Sequence, residues 1–388
     1  MYKVDNFING EASLDSSESS SIINPSYGTE IGEVLYATKD SANAAVESAY
    51  EASKAWAKTG LSFRAELILK FRQGIINRSV EIVDICISEA GKTRPDAEAE
   101  LDRAVQALTH AAGVQHFFPT NYSQNVAGGI DIADLRFPIG VVAGVGPFNF
   151  PILIPILHSA MALVTGNTYI AKPSEKVPSI SRLYADIWKE AGLPDGCYNV
   201  LNGEKEIVEL LVRHEKVDGL AFIGSTAAAK SLKMLGVEHN TKVQALGGGK
   251  NHMIVLPDAD LDMSADAAVS ASFGAAGQRC MAVSVVVAVG DIADDLISKI
   301  QSRMPNLVMG VTDDEMTQLG PVISQANKDR IYSFIDSAEP DGASLVVDGR
   351  HRSNSLEGCF VGPTLIDNVK PGMAVYENEI FGPVLCFV

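Results

Sequence analysis

Short apolar runs alternating with helical stretches constrain this chain more than any other feature. Val141-Val142-Ala143, Thr168-Tyr169-Ile170-Ala171, Tyr198-Asn199-Val200-Leu201 and Gly219-Leu220-Ala221-Phe222-Ile223 read as buried strands, each followed by a turn and then a helix. Repeated βα units pack as a largely parallel sheet covered by helices, so the expected class is α/β. Alanine and apolar positions recur at helical spacing over Asp40 to Ala57, Pro95 to Ala112, Ser179 to Ala191, Ala227 to Leu235 and Ser324 to Ala338. Asn125 to Phe137 departs from this pattern. There Ile130 and Ile132 alternate with Asp131 and Asp134, which predicts an antiparallel strand projecting as an assembly arm. After Val283, valine-rich strands and loops rich in Gly and Pro predict a second wound domain with Cys280 at its entrance.

A length of 388 residues suggests two or three domains. The net charge of −17 leaves no basic face to displace counterions from phosphate backbones, which argues against DNA or RNA as a partner. Cys86, Cys197, Cys280, Cys359 and Cys386 are odd in number, scattered and without a C-x-x-C pair, so neither a disulfide framework nor a zinc site is expected. His110 and His116 read as helix-surface groups and His252 as a structural histidine, so no metal is expected. The N-terminus lacks a basic and apolar leader, and no apolar run approaches the roughly 20 residues of a membrane span. The expected location is the cytoplasm.

Chemistry enters at Phe273-Gly274-Ala275-Ala276-Gly277-Gln278-Arg279-Cys280-Met281-Ala282, where a cysteine ends a small-residue, glycine-broken segment just before a β-branched run. A thiol attacks carbonyls as thiolate, and the neighbouring Arg279 guanidinium favours that form. Taken alone, such a cysteine also fits a small buried hydrophobe. Other motifs lie in register with it. They are Gly146-Pro147-Phe148-Asn149-Phe150-Pro151, Lys172-Pro173-Ser174-Glu175, Phe222-Ile223-Gly224-Ser225-Thr226 and Glu379-Ile380-Phe381-Gly382-Pro383.

In order and spacing these motifs resemble the NAD(P)-dependent aldehyde dehydrogenase superfamily, from Phe7-Ile8-Asn9-Gly10 to the last residue. Gly91-Lys92-Thr93, Asp96-Ala97, Arg103, Lys250-Asn251-His252 and Gly277 to Ala282 resemble its CoA-acylating methylmalonate-semialdehyde dehydrogenase branch. The resemblance implies a Rossmann-type NAD-binding domain over 1–124 and 146–252, an oligomerisation arm over 125–145 and an α/β catalytic domain over 253–388. It also implies a homodimer or homotetramer. Cys280 is then the nucleophile, with the Asn149 amide and the Cys280 N–H holding the oxyanion. Gly146, Phe148, Lys172, Glu175, Lys176, Ser225, Gly247 and Glu379 hold the cofactor, and Arg103 and Arg279 receive the carboxylate of a small semialdehyde. A carboxylate at Glu175 favours NAD over NADP, while Lys176 could tolerate a 2′-phosphate. The residues also admit plainer roles. Asn149 fits a turn, Ser225 an N-cap, Lys172, Glu175 and Lys176 solvated loop charges, and Arg103 a surface pair with Glu100.

No G-x-G-x-x-G fingerprint is present. Ala229 stands where many relatives keep glycine, a change expected to crowd the helix against the cofactor. Hydrolytic relatives carry a water-activating glutamate 34 residues before the nucleophile, where this chain has Leu246. Gln244 to Lys250 offers no carboxylate, which suits a thiol acceptor, coenzyme A. Glu379 is the alternative base. The family's final segment is missing after Val388, so exposed apolar edges are expected, in a piece of a longer protein or a naturally shortened one. The expected activity is NAD-dependent, CoA-acylating oxidation of methylmalonate or malonate semialdehyde to propionyl-CoA or acetyl-CoA with loss of CO2. The alternatives are a hydrolytic aldehyde dehydrogenase giving a free acid and an inactive, truncated dinucleotide-binding protein.

Overall fold

Five parallel strands with helices on their flanks form the centre of the first of two units seen in a computed structural model, which describes residues 1–16, 18–118, 120–353 and 356–388. This unit comprises Met1–Ile22, Gly32–Ile82 and Ala99–Gly247. In chain order the parallel strands are Val141–Val145, Thr168–Lys172, Tyr198–Val200, Gly219–Ile223 and Lys242–Leu246. In space their order is 3-2-1-4-5, and the Asn6–Ile8 and Glu11–Ser13 strands extend the sheet antiparallel beyond the third. The chain winds one way from the first strand and the other way from the fourth, so Val141–Val145 and Gly219–Ile223 flank a topological switch point. Open α/β sheets bind ligands outside the carboxyl ends of strands at such a point.

The apolar runs are buried on both faces, as parallel strands require. Ala42, Ala45, Val46 and Ala49 of the Lys39–Trp56 helix pack with Val141, Ala143, Ile170 and Leu220. Small alanines let that helix lie close to the sheet. Thr38 caps it, its side chain accepting from the Ser41 N–H at 3.0 Å. Elsewhere in the unit Phe71, on the Leu61–Asn77 helix, stacks on Trp188 of the Ser179–Ala191 helix with centroids 3.8 Å apart, and meets Tyr184 edge-on.

The second unit comprises Ile23–Ile31, Val83–Glu98 and Gly248–Val388. Its sheet runs Asn251–Val255, Val283–Ala288, Val384–Phe387, Thr364–Asp367 and Ser344–Val347, the first four parallel and the last antiparallel. Alternate residues feed two cores. Val286, Leu365 and Leu385 join Phe273, Leu296 and Ile300 on one face, and Val285, Ile366 and Cys386 join Ile331, Ile335 and Val361 on the other.

The segment expected as a single projecting strand is a hairpin of Tyr122–Ala127 and Ile130–Ala133. Gly129 and Asn125, both at positive φ, make the turn, and the Asn125 side chain accepts from the Gly129 N–H at 2.9 Å. The Gly128-Gly129 pair is the turn signal that the alternation concealed. Tyr122, Ile130, Ile132, Leu135 and Phe137 are exposed. The expected arm limit of 145 also runs too far, because Val141–Val145 is the first of the parallel strands of the seven-stranded sheet. The units likewise part after Gly247 instead of residue 252, since Asn251 already pairs in the second sheet. Residues 23–31 and 83–98 belong to the second unit. Among the described residues no helix is long and apolar enough to cross a membrane.

The Phe71 stack gives the first prediction. Phe71→Ala should lower stability by about 3–5 kcal/mol in denaturant unfolding, because a fully buried ring between Trp188 and Tyr184 is replaced by a cavity.

Candidate active site

In the first unit the named residues occupy the carboxyl ends of the parallel strands. Gly146 follows Val141–Val145, its N–H donating to the Lys172 carbonyl at 3.0 Å, and the chain then turns through Phe148 and a buried Asn149 into the Leu153–Val164 helix. Glu100 sets the start of that helix. The plainer reading of Arg103 would make Glu100 a surface partner, but it is buried, and its carboxylate accepts from the Ile152 and Leu153 N–H groups at 2.8 Å each. A carboxylate at a helix N-terminus compensates the exposed amides and the dipole. Arg103 is exposed and donates to Gln106 at 3.3 Å.

Across the switch point, Ser225 follows Gly219–Ile223 and caps the Thr226–His239 helix, its hydroxyl accepting from the Ala228 N–H at 3.3 Å. Ser225, Thr226 and Ala227 are exposed, so the positive end of the helix faces solvent. Gly247 lies against this turn. A Cβ there would sit 3.0 Å from Thr226 Cα, so the close approach needs glycine. Ala229 faces inward with Leu232 and Leu235 in the core.

Lys172 ends its strand almost wholly buried, 3.7 Å from the Glu175 carboxylate, and Lys176 is 3.9 Å from the same group. Burial holds the Lys172 ammonium below its usual range, while Glu175 and Glu204 act in the opposite sense. Sequence reasoning missed Glu204 and Tyr36. The Tyr36 hydroxyl donates to Glu204 at 3.2 Å and shares a hydrogen bond with the Ser20 hydroxyl at 2.8 Å, and burial pushes it up to about 12. Both residues line a cleft of about 940 Å³ with Thr38, Gly203, Ile207 and His214. Nothing in the local sequence marks them, since Tyr36 and Glu204 are 168 residues apart.

In the second unit, Cys280 is exposed, whereas Cys86, Cys197, Cys359 and Cys386 are buried. Burial pushes the Cys197 thiol up to about 12 and that of Cys386 to about 11, away from thiolate chemistry. The Leu261–Phe273 helix ends at Gly274, and Ala275, Ala276 and Gly277 then run in the left-handed region at φ 50°, 53° and 68°. For alanine this conformation costs about 1–2 kcal/mol per residue, so the turn persists only where its surroundings hold it.

Four ties do so. Asp96 accepts from the Ala275 N–H at 3.2 Å with one oxygen and pairs with the Arg279 guanidinium through the other. Gln278 accepts from the Ile323 N–H at 2.9 Å and donates to the Pro321 carbonyl at 3.4 Å. The Ala282 N–H donates to the Arg279 carbonyl at 3.0 Å, and the Asn251 side chain donates to the Cys280 and Ala282 carbonyls at 2.8 and 2.9 Å. Asp96 and Asn251 belong to motifs visible in the sequence, but their contacts with this loop are not legible there. Arg279, expected to bind a carboxylate, already holds one.

Glu379 lies at the same amino edge of the second sheet. Burial raises its carboxyl above the usual range, opposed by the Gly249 N–H, Arg330 and Lys250. Lys250 donates to the Val375 and Asn378 carbonyls at 2.7 and 2.8 Å, and Arg330 to the Ile380 carbonyl at 2.6 Å, fixing the backbone on both sides of the carboxylate. His252 is engaged with the Lys250 carbonyl and the Tyr376 hydroxyl at 2.8 and 3.2 Å. A Cβ on Gly277 would collide with the Gly382 carbonyl, in addition to its positive φ. Gly277→Ala should therefore cost about 1–3 kcal/mol in denaturant unfolding.

Known proteins carry the same architecture. The chain matches the aldehyde dehydrogenase family over residues 13–388. It is 39% identical over 386 residues to malonate-semialdehyde dehydrogenase of Bacillus pumilus, covering 99% of this chain and 79% of that one. It is 40% identical over 384 residues to the Pseudomonas aeruginosa enzyme of the same name, covering 98% and 77%. Methylmalonate-semialdehyde dehydrogenase from Oceanimonas doudoroffii superposes with a TM-score of 0.97 at 40% identity, over 100% of this chain and 80% of that one. A Sinorhizobium meliloti protein assigned to the same activity, solved with NAD, gives the same four figures. This chain thus spans about four-fifths of these relatives. With the fold, the motif register and the family match in agreement, the chain belongs to the aldehyde dehydrogenase family.

Proposed function

We propose that this protein is an NAD-dependent, CoA-acylating dehydrogenase of malonate or methylmalonate semialdehyde. The observation that carries the reading is the seat of Cys280. It is an exposed thiol in a loop tied from four sides, and its own N–H meets no acceptor among the described residues. A nucleophile beside an uncommitted backbone donor is the arrangement an acyl-transfer site needs, because the donor serves the oxyanion formed by attack.

The first unit fits a dinucleotide by the chemistry of its donors. The exposed turn at Ser225 offers a helix N-terminus to pyrophosphate, and Lys172 with Glu175 offers a donor and an acceptor to ribose hydroxyls. Gly146, Phe148, Lys176 and Gly247 line this side, and Glu379 takes the other ribose. NAD, when bound, supplies the hydride acceptor. Cys280 attacks the aldehyde carbon, and its N–H with the Asn149 amide holds the resulting oxyanion. Loss of hydride from that carbon leaves a thioester on Cys280. Arg103 and Arg279 hold the substrate carboxylate, with Asp96 orienting the Arg279 fork.

The acceptor follows from the segment before Lys250. Water has a pKa near 15.7 and needs a base, and Gln244 to Lys250 contains no carboxylate. A thiol with a pKa near 8.5 is already a few per cent ionised at neutral pH. The substrate carboxylate leaves as CO2, a proton from solvent taking its place on carbon, and CoA takes the acyl group by thioester exchange, releasing the Cys280 thiol and giving acetyl-CoA or propionyl-CoA. Malonate semialdehyde is favoured by the names of the curated relatives and methylmalonate semialdehyde by those of the solved structures. A hydrolytic reaction, with Glu379 as base, is the competing reading. We further propose a cytoplasmic homodimer or homotetramer, with the exposed apolar hairpin as the assembling element.

Two measurements test this. NADH formation from malonate semialdehyde should continue past one turnover only with CoA present, and Cys280→Ala should abolish it. Sustained turnover without CoA would overturn the choice of acceptor. Arg103→Ala should raise KM for either semialdehyde about 10- to 100-fold and leave KM for propanal unchanged, since only the former lose a charged hydrogen bond. Equal effects on both substrates would remove Arg103 from the substrate site.

A further inference from the structure

We propose that Asn251 is the positioning residue that aims the Cys280 N–H. The proposal rests on the reading of Cys280 as nucleophile. One planar side-chain amide spends both of its hydrogens on this loop, donating to the Cys280 carbonyl at 2.8 Å and the Ala282 carbonyl at 2.9 Å. The two carbonyls are two residues apart, so a single group fixes the first and the third of the peptide planes that follow the nucleophile.

The effect reaches the preceding plane through Ala282. With its carbonyl held, Ala282 presents its N–H to the Arg279 carbonyl at 3.0 Å. The peptide from Arg279 to Cys280 is trans and planar, so its carbonyl and N–H point in opposite directions. Committing the Arg279 carbonyl to one side turns the Cys280 N–H to the other, where it has no acceptor among the described residues. Without Asn251, the turn from Arg279 to Ala282 is closed by one backbone hydrogen bond and anchored only by the Asp96–Arg279 pair at its start, one residue after three left-handed residues whose strain favours rearrangement.

Asn251 is itself well anchored. It opens the Asn251–Val255 strand and pairs with Val283, the first residue of the strand that the nucleophile loop enters. The amide therefore ties the loop to the sheet. Neither aspartate nor alanine can replace it, since both lack the N–H donors and aspartate sets a carboxylate against two carbonyl oxygens.

Two reactions of the same thiol test the proposal. Oxidation of propanal requires an oxyanion donor, whereas alkylation of Cys280 by iodoacetamide is a displacement at carbon and requires none. In the full chain, the NADH burst with propanal should slow about 10- to 100-fold in Asn251→Ala and Asn251→Asp. Alkylation of Cys280, followed by peptide mass spectrometry, should change less than about threefold. Asn251→Ser, which keeps one donor, should fall between them and guards against variants that fail to fold. A burst at the wild-type rate overturns the proposal, as does a parallel fall in burst and alkylation, which would place Asn251 in general folding. If Cys280→Ala retains the burst, the reading of the nucleophile fails, an outcome distinct from a normal burst in the Asn251 variants.

Discussion

A left-handed run that alanine does not favour is the constraint on which the reactive half of this protein depends. Ala275, Ala276 and Gly277 turn the chain sharply out of a helix, and Gly277 does so with the Gly382 carbonyl filling the space a side chain would need. The turn lifts Cys280 to the surface while Ala276, Gly277 and Gln278 stay buried. Strain of this kind is sustained only by contacts, and the contacts come from chain segments far apart in sequence: Asp96, Asn251, Pro321 and Ile323. The proposed nucleophile, held this way, starts near the geometry that attack requires, which would reduce the reorganisation needed during catalysis.

The first unit is governed by a different rule. Its strands reverse winding direction between Val141–Val145 and Gly219–Ile223, and the loops leaving those two strands carry Asn149 and Ser225. A parallel sheet that changes direction must leave a crevice there, because helices on either side depart to opposite faces. The chain fills the crevice mouth with glycine and a helix N-terminus, groups that admit phosphate by shape and by dipole and need no fixed fingerprint. A chain without G-x-G-x-x-G can meet the proposed dinucleotide in this way.

Much of this was legible in the sequence. The Ser179–Ala191 helix and the Gly219–Ile223 strand occupy the ranges their periodicity predicts, since both depend on local pattern and burial. The motifs at Gly146, Lys172, Ser225, Cys280 and Glu379 could be found as well, because each is a short run with its own chemistry. What could not be read was pairing at a distance. Asp96 and Arg279 are 183 residues apart, and Glu100 turns inward to Ile152 and Leu153 instead of outward to the helix surface. The hairpin at 122–133 was misread for a more local reason, since alternation signals a strand but only Gly128-Gly129 signals its reversal.

The choice of acceptor brings both halves of the chemistry to one question, that of what may attack a thioester. A carboxylate poised to activate water would also shorten the life of the acyl enzyme, so its absence has two consequences. It slows hydrolysis, and it leaves time for a bulkier thiol to arrive. Leu246, half exposed at the end of its strand, meets both conditions by being inert. Glu379 is the carboxylate that could replace the missing base, and burial raises its carboxyl above the usual range against the Gly249 N–H, Arg330 and Lys250, which stabilise its anionic form; yet Lys250 and Arg330 pin the backbone around it, as suits a fixed ligand. A general base must move toward water and give up part of that stabilisation when it takes a proton, whereas an acceptor for ribose hydroxyls keeps its charge and its place. The geometry around Glu379 therefore supports cofactor binding, and with it a thiol as the acyl acceptor.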